Sequence, residues 1–319
     1  MKFTPDFTDI EKASRLITPF LNHTPVITSR QVNGLAGGDL YFKCENFQKV
    51  GAFKFRGATN AIMNLSDEER SRGVVTHSSG NHAAALAHAA VSRGVRAYIV
   101  MPETSPEVKK RAVSGYGAEI TYCKPTLEAR ESTCEAIMER TGATLVHPYD
   151  NFFVIAGQGT AAMELLHQWP DLDVIIAPVG GGGLLSGTAL AARGVNSKIK
   201  VYGAEPEMAD DACRSLKAGR IIPSDNPKTI ADGLRTSLCE RTFTILSQNV
   251  DDILTVSEQS IIEAMLLIWE RMKIVVEPSS ATVLAAVLAN RELFTGKKTG
   301  LIISGGNVDL RKLPFNEIS

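Results

Sequence analysis

Four short segments of this 319-residue chain carry residue types that handle small anionic molecules. Gly180, Gly181, Gly182 and Gly183 run directly into Leu184, Leu185, Ser186 and Gly187, after the apolar stretch DVIIAPV. Glycines let a backbone approach an anion closely, and the free N–H groups of a following helix point at it, so a phosphate is the natural guest. The run lacks the GK[ST] ending of a P-loop, and a tight strand-to-helix turn is the plainer alternative. Lys54 lies between Phe53 and Phe55 in GAFKFRG. Apolar neighbours and the positive end of a helix both disfavour an ammonium, and a Schiff-base lysine has to be a neutral amine. The competing reading is a lysine whose stem covers apolar surface while its head reaches water. His77, Ser78, Ser79, Gly80, Asn81 and His82 offer hydroxyls and backbone donors to a carboxylate, or merely cap a helix. Ser304, Gly305, Gly306 and Asn307 close the last apolar run, with a plain turn as the alternative.

A fifth segment, EPEMADD, is acidic. Glu205 and Asp211, with a backbone carbonyl between them, could give oxygen ligands to a hard cation such as Mg²⁺, although acidic loops are usually just solvated. Glu205 also follows the glycine run by about twenty residues, as in a nicotinamide-dinucleotide fingerprint, but Ser186 stands where that fingerprint has its third glycine.

The elements that must position these residues alternate in type. Thr8 and Glu11 have capping-box spacing and predict a helix start. DLYFKCEN, residues 39–46, alternates Leu40, Phe42 and Cys44 with polar neighbours and predicts a strand. From about Phe53 the period becomes helical, with Phe55, Ala58, Thr59, Ile62 and Met63 on one face. GVVTHSS, RAYIVM, AEITYC and ATLVHP then read as strands, separated by helices in GNHAAALAHAAVSRG, SPEVKKRAVSGYG and TLEARESTCEAIMERTG. DVIIAPV, KVYGAEP, DDILTV and TGLIISGG form a second strand series, with a long helix from about Ser257. Such alternation predicts parallel sheets covered by helices on both faces. Ligands bind at the carboxyl ends of such strands, where four of the five segments fall.

Lysine plus arginine number 34 and aspartate plus glutamate 35, a net charge of −1, which argues against nucleic-acid and membrane-surface partners. Five scattered cysteines, with no CxxC pair, read as buried thiols of a reduced cytoplasmic protein. MKFTPDFTDIEK has no apolar h-region, and no run approaches a membrane span.

Taken in order, GAFKFRGA, THSSGNH, AGQGT (156–160), PVGGGG (178–183) and SGGN resemble the fold-type II pyridoxal-phosphate family, in the branch of serine racemase, threonine dehydratase and 3-hydroxyaspartate ammonia-lyase. The resemblance implies an α/β fold of two open parallel-sheet domains, 1–72 with 149–319 and 73–148, with the active site between them. It implies pyridoxal 5′-phosphate on Lys54, Phe53 packed beside it, and Asn81 on its ring oxygen. The phosphate would lie on Gly180, Gly181, Gly182, Gly183 and Leu184, and Ser304 would meet the ring nitrogen. Ser78, Ser79, Gly80, Asn81 and His82 would hold the substrate α-carboxylate, with Ser79 also placed as a second acid–base opposite Lys54. The serine-racemase branch further implies a divalent cation, Mg²⁺ with Mn²⁺ or Ca²⁺ as alternatives, on Glu205, the Ala209 carbonyl and Asp211. A homodimer is expected with it.

The activity expected is elimination of water from a small β-hydroxy amino acid. The first choice of substrate is threo-3-hydroxyaspartate, giving oxaloacetate and ammonia. Serine, by racemisation or dehydration, and threonine are the alternatives. A second carboxylate needs a cation, a bidentate arginine being the best match, and Arg130 and His147 are the candidates by position near the cleft. A nicotinamide-dependent oxidoreductase or a non-catalytic phosphate-binding regulator are the readings from other classes.

Overall fold

The computed structural model describes residues 3–78, 80–105 and 107–317. Ten strands are described: β1 (Val26–Ile27), β2 (Asp39–Cys44), β3 (Val74–His77), β4 (Ala97–Pro102), β5 (Glu119–Cys123), β6 (Thr144–Leu145), β7 (Val174–Pro178), β8 (Lys200–Pro206), β9 (Asp252–Val256) and β10 (Lys298–Ile303). They form a six-stranded sheet in the order β1-β2-β10-β7-β8-β9 and a four-stranded sheet in the order β5-β4-β3-β6. Every pairing is parallel except β1 with β2.

Because both faces of a parallel sheet are covered, its strands are apolar on both sides. One face of the six-stranded sheet packs Ile175, Ala177, Val201 and Ile302 against helices Phe7–Ile17, Phe152–Gln168 and Gly183–Val195. The other packs Phe42, Ile176, Leu254 and Ile303 against helices Glu258–Leu267 and Pro278–Ala289. The four-stranded sheet buries Val74 and Ile99 under helix Asn81–Val91 and Val75 and Val100 under helix Leu127–Thr141. Helix Lys54–Met63 shares this smaller core through Phe55, Ala58 and Ile62.

The first helix starts earlier than its apparent capping box implies. Asp6 is the N-cap and forms the reciprocal box with Asp9, because a carboxylate there accepts the orphan N–H groups that Thr8 and Glu11 were expected to serve. The strand expected over 39–46 stops at Cys44, and Glu45 opens a 3₁₀ turn. Lys43, expected on a polar face, is fully buried because Glu164 and the Thr24 carbonyl receive its ammonium. The helix after Ser257 ends in a π-helical turn, Ile268–Met272. Among the described residues no helix is long and apolar enough to cross a membrane.

Candidate active site

The carboxyl ends of β3, β4, β7 and β10 converge on one cavity of about 540 Å³. Phe53, Lys54, Ser78, Gly80, Asn81, His82, Arg130, Gly180 to Gly183, Leu184 and Ser304 all line it. Ser79 lies outside the described residues.

Lys54 begins a helix, and its segment is stitched to the end of β10. The Phe53 N–H donates to the Ser304 carbonyl at 2.9 Å, and Ala52 and Gly305 form an isolated bridge. Gly51 has φ +69, and a Cβ there would sit 2.8 Å from Asn307 Oδ1, so both backbone freedom and space require glycine. Lys54 Nζ donates to the Pro148 carbonyl at 2.9 Å and lies 5.1 Å from the centre of the Phe53 ring. Burial pushes its amine down to about 8, against the opposing pull of Glu277. A substantial fraction of the amine is therefore neutral near pH 8, as nucleophilic or basic lysines require.

Glu277 is the residue that sequence reasoning missed. It is the N-cap of helix Pro278–Ala289, with proline at the first helical position, a pattern readable in the sequence as Glu-Pro-Ser-Ser. Both its oxygens accept from Asn81 Nδ2, at 2.9 and 3.2 Å. Asn307 Nδ2 donates in turn to Asn81 Oδ1 at 2.9 Å, so the orientation of the Asn81 amide is fixed at both ends. Burial, then the charge of Asp232, pushes Glu277 up to about 7. Ser304 Oγ lies 2.9 Å from Ser280 Oγ, and Ser280 donates to the Gly305 carbonyl at 2.6 Å. Among the described residues no charged side chain is hydrogen-bonded to Ser304.

The glycine run holds no room for side chains. A Cβ on Gly181 would fall 2.3 Å from the Tyr149 ring, and one on Gly183 would fall 2.9 Å from Gln158 Oε1. Gln158 is fully buried, and neither amide atom meets a hydrogen-bond partner in the structure. An open backbone concavity at a helix start, with an orphaned amide behind it, fits a phosphate group. The side chains around it (an amine, an amide and a neutral hydroxyl) fit an aldehyde, a phenolic oxygen and a pyridine nitrogen.

Three cations besides Lys54 line the cavity. Lys109 pairs with Asp232 at 2.5 Å, and Arg235 is taken by the Thr229 carbonyl. Arg130 places its Nε on the Thr126 carbonyl at 3.3 Å. His82 is buried with Nε2 3.0 Å from the Val146 carbonyl, and burial pushes its pKa down to about 3.

The acidic segment lies apart from this cavity. Glu205, at the end of β8, is fully buried and accepts from the N–H groups of Ala212 and Cys213, both at 3.0 Å. A ribose-binding carboxylate has to be accessible, so this geometry speaks against the nicotinamide reading. Asp211 is equally buried, and neither of its oxygens meets a donor at hydrogen-bonding geometry. Burial pushes Glu205 up to about 9 and Asp211 up to about 6. Two buried carboxyl groups of one segment, with Arg214 as the opposing charge near Asp211, offer oxygen ligands that fit a hard cation.

Residues 17–305 match the family model described as pyridoxal-phosphate dependent enzyme. The chain is 50% identical over 314 residues to the beta-hydroxyaspartate dehydratase of Paracoccus denitrificans, covering 98% of this chain and 100% of that protein. It is 50% identical over 309 residues to the L-threo-3-hydroxyaspartate ammonia-lyase of Saccharomyces cerevisiae, covering 97% and 95%. The crystal structure of serine racemase from Dictyostelium discoideum superposes with a TM-score of 0.92 at 54% identity, covering 96% of this chain and 99% of that one. With a cavity shaped for the cofactor and a match over nearly its whole length, this chain belongs to the fold-type II pyridoxal-phosphate dependent enzymes.

Proposed function

We propose that the enzyme is an ammonia-lyase that eliminates water from threo-3-hydroxyaspartate, giving oxaloacetate and ammonia. The observation that carries the choice of substrate is Arg130 on the wall of the cavity that holds Lys54, where a second carboxylate finds a guanidinium. In support, two relatives at 50% identity are named for hydroxyaspartate. The second reading, serine racemisation or dehydration, is favoured by the serine racemase at 54% identity.

When bound, pyridoxal 5′-phosphate supplies the electron sink for negative charge at the substrate α-carbon. Lys54 would hold it, with Phe53 beside its ring, Asn81 toward the ring oxygen, Ser304 toward the ring nitrogen, and Gly180 to Gly183 with Leu184 around its phosphate. Ser78, Ser79, Gly80 and His82 would receive the α-carboxylate. Lys54, as a neutral amine, takes the α-proton. Ser304 carries no charge and cannot hold a pyridine protonated, which favours an elimination that discharges the α-carbon at once. Glu205, the Ala209 carbonyl and Asp211 would hold Mg²⁺, or Mn²⁺ or Ca²⁺, as a structural ion away from the chemistry. In the same reading residues 73–148 form a small unit beside 1–72 and 149–319, and the enzyme is a cytoplasmic homodimer.

The test is release of 2-oxo acid from both diastereomers of 3-hydroxyaspartate, both serine enantiomers and threonine. Arg130→Ala is expected to raise KM for 3-hydroxyaspartate by about 10- to 100-fold and to leave serine nearly unaffected. Equal losses on both substrates would remove Arg130 from the reading. A wild type that turns over serine alone would replace the reading with the second one.

A further inference from the structure

Resting on that reading, we propose that His147 is a specificity-determining residue, whose Nε2–H donates to the distal carboxylate of the substrate beside Arg130. His147 lines the same cavity as Lys54 and Arg130, and the next carbonyl along the chain, that of Pro148, receives Lys54 Nζ. Its ring is fixed from behind. Nδ1 accepts the Asp150 N–H at 2.9 Å and the Tyr149 N–H at 3.4 Å. Asp150 is itself held by Arg241 at 2.7 Å.

Backbone N–H groups can only donate, so Nδ1 is an acceptor and the proton sits on Nε2. The tautomer therefore follows from the fold, and Nε2–H is the edge left for the cavity. His77 and Tyr149 pack edge-on against the ring, with centroids at 5.9 and 4.6 Å, and hold its plane. Burial, then the neighbouring His77, pushes the His147 pKa down to about 4, with Asp150 opposing, so the donor is uncharged at neutral pH. Of the three cations lining the cavity besides Lys54, Lys109 pairs with Asp232, Arg235 turns Nε and Nη2 to the Thr229 carbonyl, and Arg130 gives its Nε to the Thr126 carbonyl. Arg130 supplies charge and His147 a directed neutral hydrogen bond.

Two substitutions separate the two edges of the ring. His147→Asn keeps an acceptor near Nδ1 for the turn and loses the cavity donor. His147→Gln keeps an amide donor near Nε2 and loses the turn acceptor. On the cofactor-loaded enzyme, calorimetry compares L-aspartate, which has the second carboxylate and no leaving hydroxyl, with L-alanine. The wild type is expected to prefer L-aspartate, and His147→Asn to lose about tenfold or more of that preference with its melting temperature nearly unchanged. His147→Gln is expected to keep most of the preference while melting lower.

The inference is overturned if His147→Asn keeps the wild-type preference, if it weakens both ligands equally, or if folded His147→Gln does no better. Oxaloacetate release by the wild type is read separately. Release combined with an unchanged His147→Asn preference sinks this inference alone. No release, combined with aspartate binding that depends on His147, sinks the elimination reading alone.

Discussion

Lys54 and Arg56 stand two residues apart at the start of one helix, and the fold treats their charges in opposite ways. Arg56 is sealed from solvent, with Nε and Nη2 on Glu45 at 2.6 and 2.8 Å and Nη1 and Nη2 on Glu164 at 2.7 and 2.9 Å. Lys43 joins Glu164 at 2.8 Å, so two cations face two carboxylates. Burial works against Glu164, but Arg56 and Lys43 hold it down at about 2. Lys54 opens on the cavity instead, and its nearest acceptor is a neutral carbonyl. Glu277, which lines that cavity with Asp232, is hydrogen-bonded to an amide rather than a cation and rises to about 7. Charges that are fully paired lock the helix in place. Groups denied a countercharge keep their protons mobile, which is what acid–base chemistry needs.

The largest effect should come from the open side. Lys54→Ala is expected to lower turnover by roughly 10³-fold or more while circular dichroism stays unchanged, measured as 2-oxo acid release. The sealed side should answer in stability. Glu164→Ala leaves two buried cations short of a partner and is expected to cost about 3–5 kcal/mol in urea unfolding. Because Glu164 is held at about 2 in the folded protein, its contribution is present at neutral pH and fades as pH falls from the ordinary carboxylate range toward 2. The variant should show less acid-side loss than the wild type.

Glu277 should show the opposite slope. Its folded pKa is raised, so the folded state binds the extra proton, and stability falls as pH rises from the ordinary carboxylate range to about 7. In the cofactor-free protein that loss is expected to reach about 3 kcal/mol, and Glu277→Gln should flatten it. A flat wild-type profile would erase the contrast between the two regions.

Glu205 and Asp211 make a third case, buried carboxyl groups proposed to hold a cation. Mg²⁺ at a hundredfold excess over its Kd is expected to stabilise the protein by about 2.7 kcal/mol, read as a rise in Tm, and Asp211→Asn should abolish the rise.

The sequence made the open side more legible than the sealed one. Strand–helix alternation and the glycine run announced both sheets and the cavity rim, because local periodicity and backbone freedom are written in adjacent residues. Lys54 gained its meaning only with Asn81, Ser304 and the glycines around it. The sealed cluster was invisible, since Lys43, Glu45, Arg56 and Glu164 come from strand, turn and two helices. In the sequence they look like ordinary surface charges. Glu277 was hidden for the same reason, although its place before Pro278 marked a helix cap. Gln158 belonged to a recognised motif, but its burial without a partner depends on three helices crossing at glycines.

The central claim is that Lys54, whose amine burial pushes down to about 8, carries the cofactor. Borohydride reduction of the purified enzyme followed by peptide mass mapping tests it most directly. The account predicts a yellow protein whose visible band disappears on reduction, with the mass increase on the peptide containing Lys54. A colourless protein, or a label on another lysine, would contradict it.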